Sequence, residues 1–250
     1  MLKAGLTVSD EELAIVCASH SGNKIHIDLV TKMLEKRNIP LSAMQNASDK
    51  PLGEKENISW GNKPGTQLTQ NCSGKHAGML ITCQKNGWDM NTYLDLNHPL
   101  QVAIKNEIEA LAGEKVSATS VDGCGAPLFA ISLTGLAKAI SNLVKSKEDL
   151  YQQIVLACTK YPELVAGDGR LTTRMMQAVP GLFMKEGAEG VQVCALRDGR
   201  VIAIKIIDGS WRPVAPIIME IFKKWGIEMP DESVKIYGGT SVIGEVSANI

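Results

Sequence analysis

The stretch Val191-Gln192-Val193-Cys194-Ala195-Leu196, Arg197-Asp198-Gly199-Arg200, Val201-Ile202-Ala203-Ile204-Lys205-Ile206-Ile207 decides the fold class of this chain. Two runs rich in β-branched residues flank an Asp-Gly pair, and that dipeptide between such runs is a strong short-range signal for an antiparallel hairpin. A helix is predicted at about 213–225, covering the sheet. Upstream the apolar residues recur at helical spacing instead. Residues 26–37 carry Ile27, Val30, Met33 and Leu34 on one face, and residues 98–112 carry Leu100, Ile104, Ile108 and Leu111. Pro99 suits the first turn of the latter. Two more helices are predicted at about 129–144, with Leu133, Leu136, Ile140 and Leu143, and at 147–160. Helices in the middle and an antiparallel pair late in the chain make the class α+β. The expected organisation is one unit over 1–250, mainly helical over 26–180, with a sheet hairpin and covering helix over 181–250.

At 250 residues, with 44% hydrophobic and 21% charged residues, the chain has the composition of an ordinary globular protein able to bury a sizeable core. A net charge of −1 and few aromatics argue against nucleic acid as a partner. No apolar run reaches the roughly 18 residues a membrane span needs, and the first residues carry no secretory apolar region. The six cysteines are too widely spaced for a disulfide scaffold, which points to a reduced, cytoplasmic setting. Cys83, Cys158 and Cys194 sit in apolar periodic stretches and read as small buried hydrophobes.

Chemistry-bearing residues concentrate elsewhere. Residues 10–16 open with acidic residues and run into Cys17-Ala18-Ser19-His20-Ser21-Gly22, an element ending at a polar loop. Residues 40–70, rich in Pro, Gly, Asn and Ser, read as a surface excursion. Asn71-Cys72-Ser73-Gly74-Lys75-His76-Ala77-Gly78 then follows neither period 3.6 nor period 2, so stability alone does not explain it. A helix is expected to start around Gly74–His76. It is not a phosphate loop, because Lys75 is followed by His76 and the preceding glycine, Gly65, lies nine positions before Gly74. Cys72 and Lys75 share a face at i, i+3, and Cys124 of the glycine-rich turn Asp122-Gly123-Cys124-Gly125-Ala126-Pro127 offers a third donor. Two thiolates favour zinc, although a lysine ligand must first lose its proton. The alternative reading leaves Cys72 and Cys124 as buried spectators. Nucleophile candidates are Ser19, Ser21 and Ser73, each of which needs a base, and neutral lysine is one such base. Ser21-Gly22-Asn23-Lys24 has the S-x-x-K form, which arises often by chance. Lys185 precedes the hairpin, beside the flexible Gly187-Ala188-Glu189-Gly190, and reads either as that base or as a solvated lysine.

Taken together, the motifs around Ser19, Cys72–Met79 and Asp122–Pro127, with Lys185-x-Gly187-Ala188-Glu189-Gly190, Val165-Ala166-Gly167, Ala178-Val179-Pro180-Gly181 and Lys205-Ile206-x-Asp208-Gly209, resemble the rhizobial-type L-asparaginase II family. The resemblance runs in order from about residue 5 to 245. It implies a fold like that of serine β-lactamases and serine-dependent glutaminases, hydrolysis of L-asparagine to aspartate and ammonia, and a homodimer. It further implies Ser19 and Lys185 as a catalytic pair, Asp122 as a further catalytic residue, and zinc on Cys72, Lys75 and Cys124 with Asp122 beside it. His76, with His20 and Gly187, would meet the substrate. Family members carry a further N-terminal segment with strands and an R-S-x-x-K-P motif. The expectation is that this chain lacks those strands and the second serine–lysine pair. Two other readings follow: a metal-binding homologue without turnover, and a serine acyl-transfer enzyme acting on another substrate.

Overall fold

Helix α1 (Asp10–Val16) is where the fold is joined. Its start is set by a reciprocal cap: the Glu12 N–H donates to Ser9 Oγ at 3.2 Å and the Ser9 N–H to Glu12 Oε2 at 3.1 Å. Burial would raise the Glu12 carboxyl, but Arg37, 2.8 Å away, and the Ser9 N–H outweigh it and hold the group ionised. Leu13 and Ala14 face one hydrophobic core, Ile15 and Val16 the other. The end of α1 therefore emerges at the seam between two cores.

The computed structural model describes residues 1–250 as ten α-helices and seven strands in three antiparallel sheets, an α+β arrangement. No helix is long and apolar enough to cross a membrane. One core gathers α6 (Leu133–Lys145), α7 (Asp149–Lys160), α8 (Pro162–Val165) and α9 (Leu171–Ala178) against a three-stranded sheet and α10 (Val214–Lys224). That sheet has the order β3 (Phe183–Gly187), β4 (Val191–Ala195), β5 (Val201–Lys205), with Lys185 opposite Val193 and Cys194 opposite Ile202. The other core lies around Met33, Leu80, Tyr93 and Leu100. It draws on α2 (Lys24–Glu35), α4 (Ser73–Asn86) and α5 (Pro99–Ala112). The short α3 (Glu54–Trp60) belongs to the surface excursion. Cys83, Cys158 and Cys194 are buried, as the periodicity predicts.

The hairpin of β4 and β5 forms as read, its turn closed by the Gly199 N–H on the Leu196 carbonyl at 2.9 Å. Four features differ from the sequence reading. Lys185 lies inside a separate strand, β3, that pairs with β4, because Lys-Glu-Gly hides a half-buried strand behind polar residues. The helix expected from 129 begins at Leu133, since Ser132 Oγ caps it by accepting the Gly135 N–H at 2.8 Å. Residues before it form the hairpin β1 (Ala118–Val121) and β2 (Pro127–Ala130), whose turn carries Asp122 and Cys124. A further hairpin, β6 (Val234–Gly238) with β7 (Ser241–Val246), follows α10.

The octapeptide also has a packing logic that its hydrophobicity does not reveal. A Cβ on Gly74 would lie 2.1 Å from the Ile15 carbonyl oxygen, and one on Gly78 would lie 2.8 Å from the Val16 side chain. With the fully buried Ala77 between them, these glycines let α4 lie directly on α1. That contact brings Cys72 and Lys75 to the seam where α1 ends.

Candidate active site

The loop leaving α1 is stitched on both sides. The Ser19 N–H donates to the Val165 carbonyl at 3.0 Å and the Ser21 N–H to the Ala166 carbonyl at 2.7 Å, while the His20 N–H donates to the Asn71 carbonyl at 3.1 Å. Gly167, at φ 136°, lies so close that a Cβ there would sit 2.1 Å from Ser21 Oγ. Ser21 is thereby buried, with its hydroxyl spent on the Ala166 carbonyl. Ser19 keeps partial exposure.

From the opposite side, β3 delivers Lys185, whose Nζ lies 2.7 Å from Ser19 Oγ and also donates to the Glu186 carbonyl. Burial pulls the Lys185 amine below its ordinary range; Arg170 adds to this, and Glu186 and Cys72 oppose it. Nζ donates to both the Ser19 hydroxyl oxygen and the Glu186 carbonyl, so it ties the loop after α1 to β3. Gly187 shares the Lys185 face of the strand, two residues on, and presents no side chain there.

Beside this pair lies a sulfur-rich cluster. One donor atom each from Cys72, Asp122 and Cys124 falls within 4.8 Å of the others. The Cys124 thiol donates to Asp122 Oδ2 at 3.4 Å, and Lys75 Nζ lies 3.2 Å from the same oxygen. The Cys72 thiol is lowered to about 6, first by a hydrogen bond from Cys124 and then by the Lys75 charge, against the cost of burial. Cys124 is correspondingly raised to about 12. Burial would lower Lys75, yet Cys72, Cys124 and Asp122 together hold it up as an ammonium. The donor chemistry thus fits a soft divalent cation on two sulfurs and a carboxylate. Asp122, read from sequence as lying beside the metal, stands among the donors, and Lys75 joins them only by giving up its proton.

The two histidines named as substrate contacts lie inside the protein. His20 is fully buried and both ring nitrogens are engaged: Nδ1 accepts the Gly22 N–H at 3.1 Å, and Nε2–H donates to Ser73 Oγ at 2.8 Å. It holds the loop of Ser19 to the start of α4, with both ring nitrogens engaged. Ser73 is likewise buried and committed to this contact. His76 is fully buried too, with Nδ1 2.7 Å from the Tyr93 hydroxyl. That hydroxyl also accepts the Gln45 N–H, so Tyr93 links the ring to the backbone of the surface excursion. His76 Nε2 meets no partner but the Cys124 sulfur beside it.

His20 stacks on His26 at 4.8 Å between ring centres, and burial lowers the pKa of both, that of His20 well below 6.5. The native state therefore binds fewer protons than the unfolded chain wherever unfolded histidine is charged. Stability must fall as the pH drops below about 6.5. The urea midpoint is expected to stay level above about pH 7 and to decline steadily toward pH 5. A midpoint flat across that interval would contradict neutral buried rings.

Sequence reasoning missed Arg170 and Glu186. Arg170 Nη1 donates to the Ser19 carbonyl at 2.9 Å and Nη2 pairs with Glu186, whose carboxylate also accepts from the buried Thr172 hydroxyl at 3.3 Å. Neither lies in a motif; the one available signal was that Glu186 adjoins Lys185. A cavity of about 630 Å³ between α5, the β1–β2 hairpin and α6 is apolar and contains none of these residues.

Ser19 and Lys185 thus meet where the two cores join, Cys72, Lys75, Asp122 and Cys124 gather between the start of α4 and the β1–β2 turn, and His20 ties the Ser19 loop to the start of α4 through Asn71 and Ser73. No curated protein matches the chain. The family model described as L-asparaginase II matches residues 1–244, nearly the whole sequence and every residue of this site. The chain belongs to the L-asparaginase II family.

Proposed function

We infer that this protein is an amidohydrolase that converts L-asparagine to aspartate and ammonia with Ser19 as nucleophile and Lys185 as its base. The observation that carries this reading is the 2.7 Å contact between Lys185 Nζ and Ser19 Oγ in a member of this family. A serine hydroxyl is a weak nucleophile until its proton has somewhere to go, and an amine depressed by burial supplies that place. Ser19 Oγ would attack the side-chain amide carbon as its proton passes to Lys185. The same proton, returned to the departing nitrogen, would release ammonia and leave an ester on Ser19. Water, deprotonated by Lys185 in turn, would resolve the ester to aspartate.

Cys72, Cys124 and Asp122, with Lys75 once deprotonated, would hold zinc, which when bound would orient the polar groups of the substrate by its charge. Six unpaired thiols support a reducing, cytoplasmic setting, and family resemblance supports a homodimer.

The test is ammonia release from L-asparagine by the folded protein, with metal content measured on the same preparation. Turnover is expected, with close to one zinc per chain. Its loss from a Cys72→Ser, Cys124→Ser double variant would tie the metal to these sulfurs. Folded, zinc-loaded protein that releases no ammonia would remove the asparaginase reading. Full zinc content in the double variant would remove the ligand assignment.

A further inference from the structure

Ser19 and Lys185 are brought to hydrogen-bond distance from loop and strand, and a second connection closes the circuit between them. The Ser19 carbonyl accepts from Arg170 Nη1 at 2.9 Å, Arg170 Nη2 pairs with the Glu186 carboxylate, and the Glu186 carbonyl accepts from Lys185 Nζ, which reaches back to Ser19 Oγ. Each link is a different group, so the ring closes only when all four residues are in place. Arg170 also reaches the Ala166 carbonyl at 3.4 Å, the same carbonyl that fastens Ser21. Glu186 is almost wholly buried, and Thr172 holds its second oxygen. A buried carboxylate without its cation is strongly disfavoured, so Glu186 fixes the guanidinium as firmly as the guanidinium fixes the loop. A planar fork that donates in two directions suits this role, which a point charge fills poorly.

We propose that the Arg170–Glu186 pair is the positioning device of this site, clamping the backbone of the nucleophile to the strand that carries its base so that Ser19 Oγ stays within reach of Lys185 Nζ. The proposal rests on the serine–lysine reading above. It adds two positioning residues that do not touch the substrate.

The test reads Ser19 reactivity directly and needs no turnover of asparagine. Phenylmethanesulfonyl fluoride labels an activated serine: Oγ bonds to sulfur, the S–F bond breaks, fluoride leaves and the hydroxyl proton passes to the base. The labelling rate of Ser19, followed by peptide mass mapping, is compared in wild type, Arg170→Ala, Glu186→Gln and Lys185→Met, with thermal melting of each as a check of folding. Arg170→Ala is expected to slow Ser19 labelling roughly tenfold or more, since small displacements of reacting atoms cost that much. Added guanidinium at non-denaturing concentration should restore part of the rate, because Arg170 is partly exposed and its pocket opens to solvent, whereas sodium at equal ionic strength should not. A purely structural role would not respond to guanidinium. Wild-type labelling in folded Arg170→Ala, or equal effects of guanidinium and sodium, would overturn the proposal. If Arg170→Ala does not fold, Glu186→Gln decides: slowed labelling supports the clamp and a wild-type rate overturns it. Should Lys185→Met label Ser19 as fast as wild type, the serine–lysine reading falls and the clamp falls with it. Slowed labelling in Lys185→Met without ammonia release from asparagine would remove only the substrate.

Discussion

Replacing Ser19 by alanine is expected to lower ammonia release from L-asparagine by roughly 10⁴-fold or more, and replacing Lys185 by methionine by roughly 10³-fold, with both variants folded. The size follows from what each group contributes. Without Oγ no ester forms, and the residual rate is what binding and orientation alone provide to water. Without the amine, Oγ remains but keeps its proton, so the loss is that of general-base assistance. Methionine matches the lysine stem in length and suits a site that burial has already made unfavourable for charge. For the same reason Lys185→Met should not lower the melting temperature, and removing an amine whose charged form is penalised by burial should raise it slightly. Lys185→Arg should be as inactive as Lys185→Met, because a guanidinium stays protonated and offers no lone pair. Two comparisons decide the matter. Ser19→Ala with more than a few per cent of wild-type turnover would move the nucleophile elsewhere. An active Lys185→Arg would show that the position supplies charge and does not take a proton.

What the sequence disclosed and what it withheld follow from the range over which residues act. The β4–β5 hairpin was legible because Asp198-Gly199 and its flanking runs are contiguous, and turn chemistry is local. Helices α2, α5 and α7 were legible because burial on one face repeats every turn. Strand β3 was not, because the polar Lys185 and Glu186 occupy strand positions and break the apolar pattern. The Ser19–Lys185 contact spans 166 positions, and no local spacing encodes it. Only resemblance to a family paired the two residues beforehand. Resemblance served less well for His20 and His76, since a shared motif names residues without saying which way they face; both rings prove to be interior struts. Arg170 and Glu186 look in sequence like ordinary surface charges. They meet only once the start of α9 and β3 come together at the Ser19 loop.

The octapeptide carries the second large prediction, and it concerns a residue with no chemistry. Gly74→Ala places a methyl group 2.1 Å from the Ile15 carbonyl oxygen, well inside any van der Waals contact, and 2.7 Å from the carbonyl carbon. Backbone cannot rotate out of the way as a side chain can, so α1 and α4 must separate. Overpacking of this kind costs about 1–3 kcal/mol and sometimes more, while alanine in a helix regains about 1 kcal/mol over glycine. A clash with backbone belongs at the upper end of that range, which leaves a net loss of about 2 kcal/mol, or about 4–8 °C in melting temperature for a chain of this size. Gly78→Ala should cost less, because its added methyl meets the Val16 side chain at 2.8 Å, a longer approach than the 2.1 Å to backbone at Gly74, though β-branched Val16 has little freedom to turn aside. Gly123→Ala has nothing within 4 Å and serves as the neutral control within the same site. The functional loss should exceed the loss of stability. The α1–α4 contact is the shared mount of Ser19, which follows one helix, and of Cys72 and Lys75, which begin the other. At a temperature where Gly74→Ala remains folded, both turnover and metal content should fall, whereas Gly123→Ala should retain both. If Gly74→Ala melts within a degree of wild type and keeps full zinc and activity, the helix contact does not hold the site together, and the glycines of the octapeptide need another explanation.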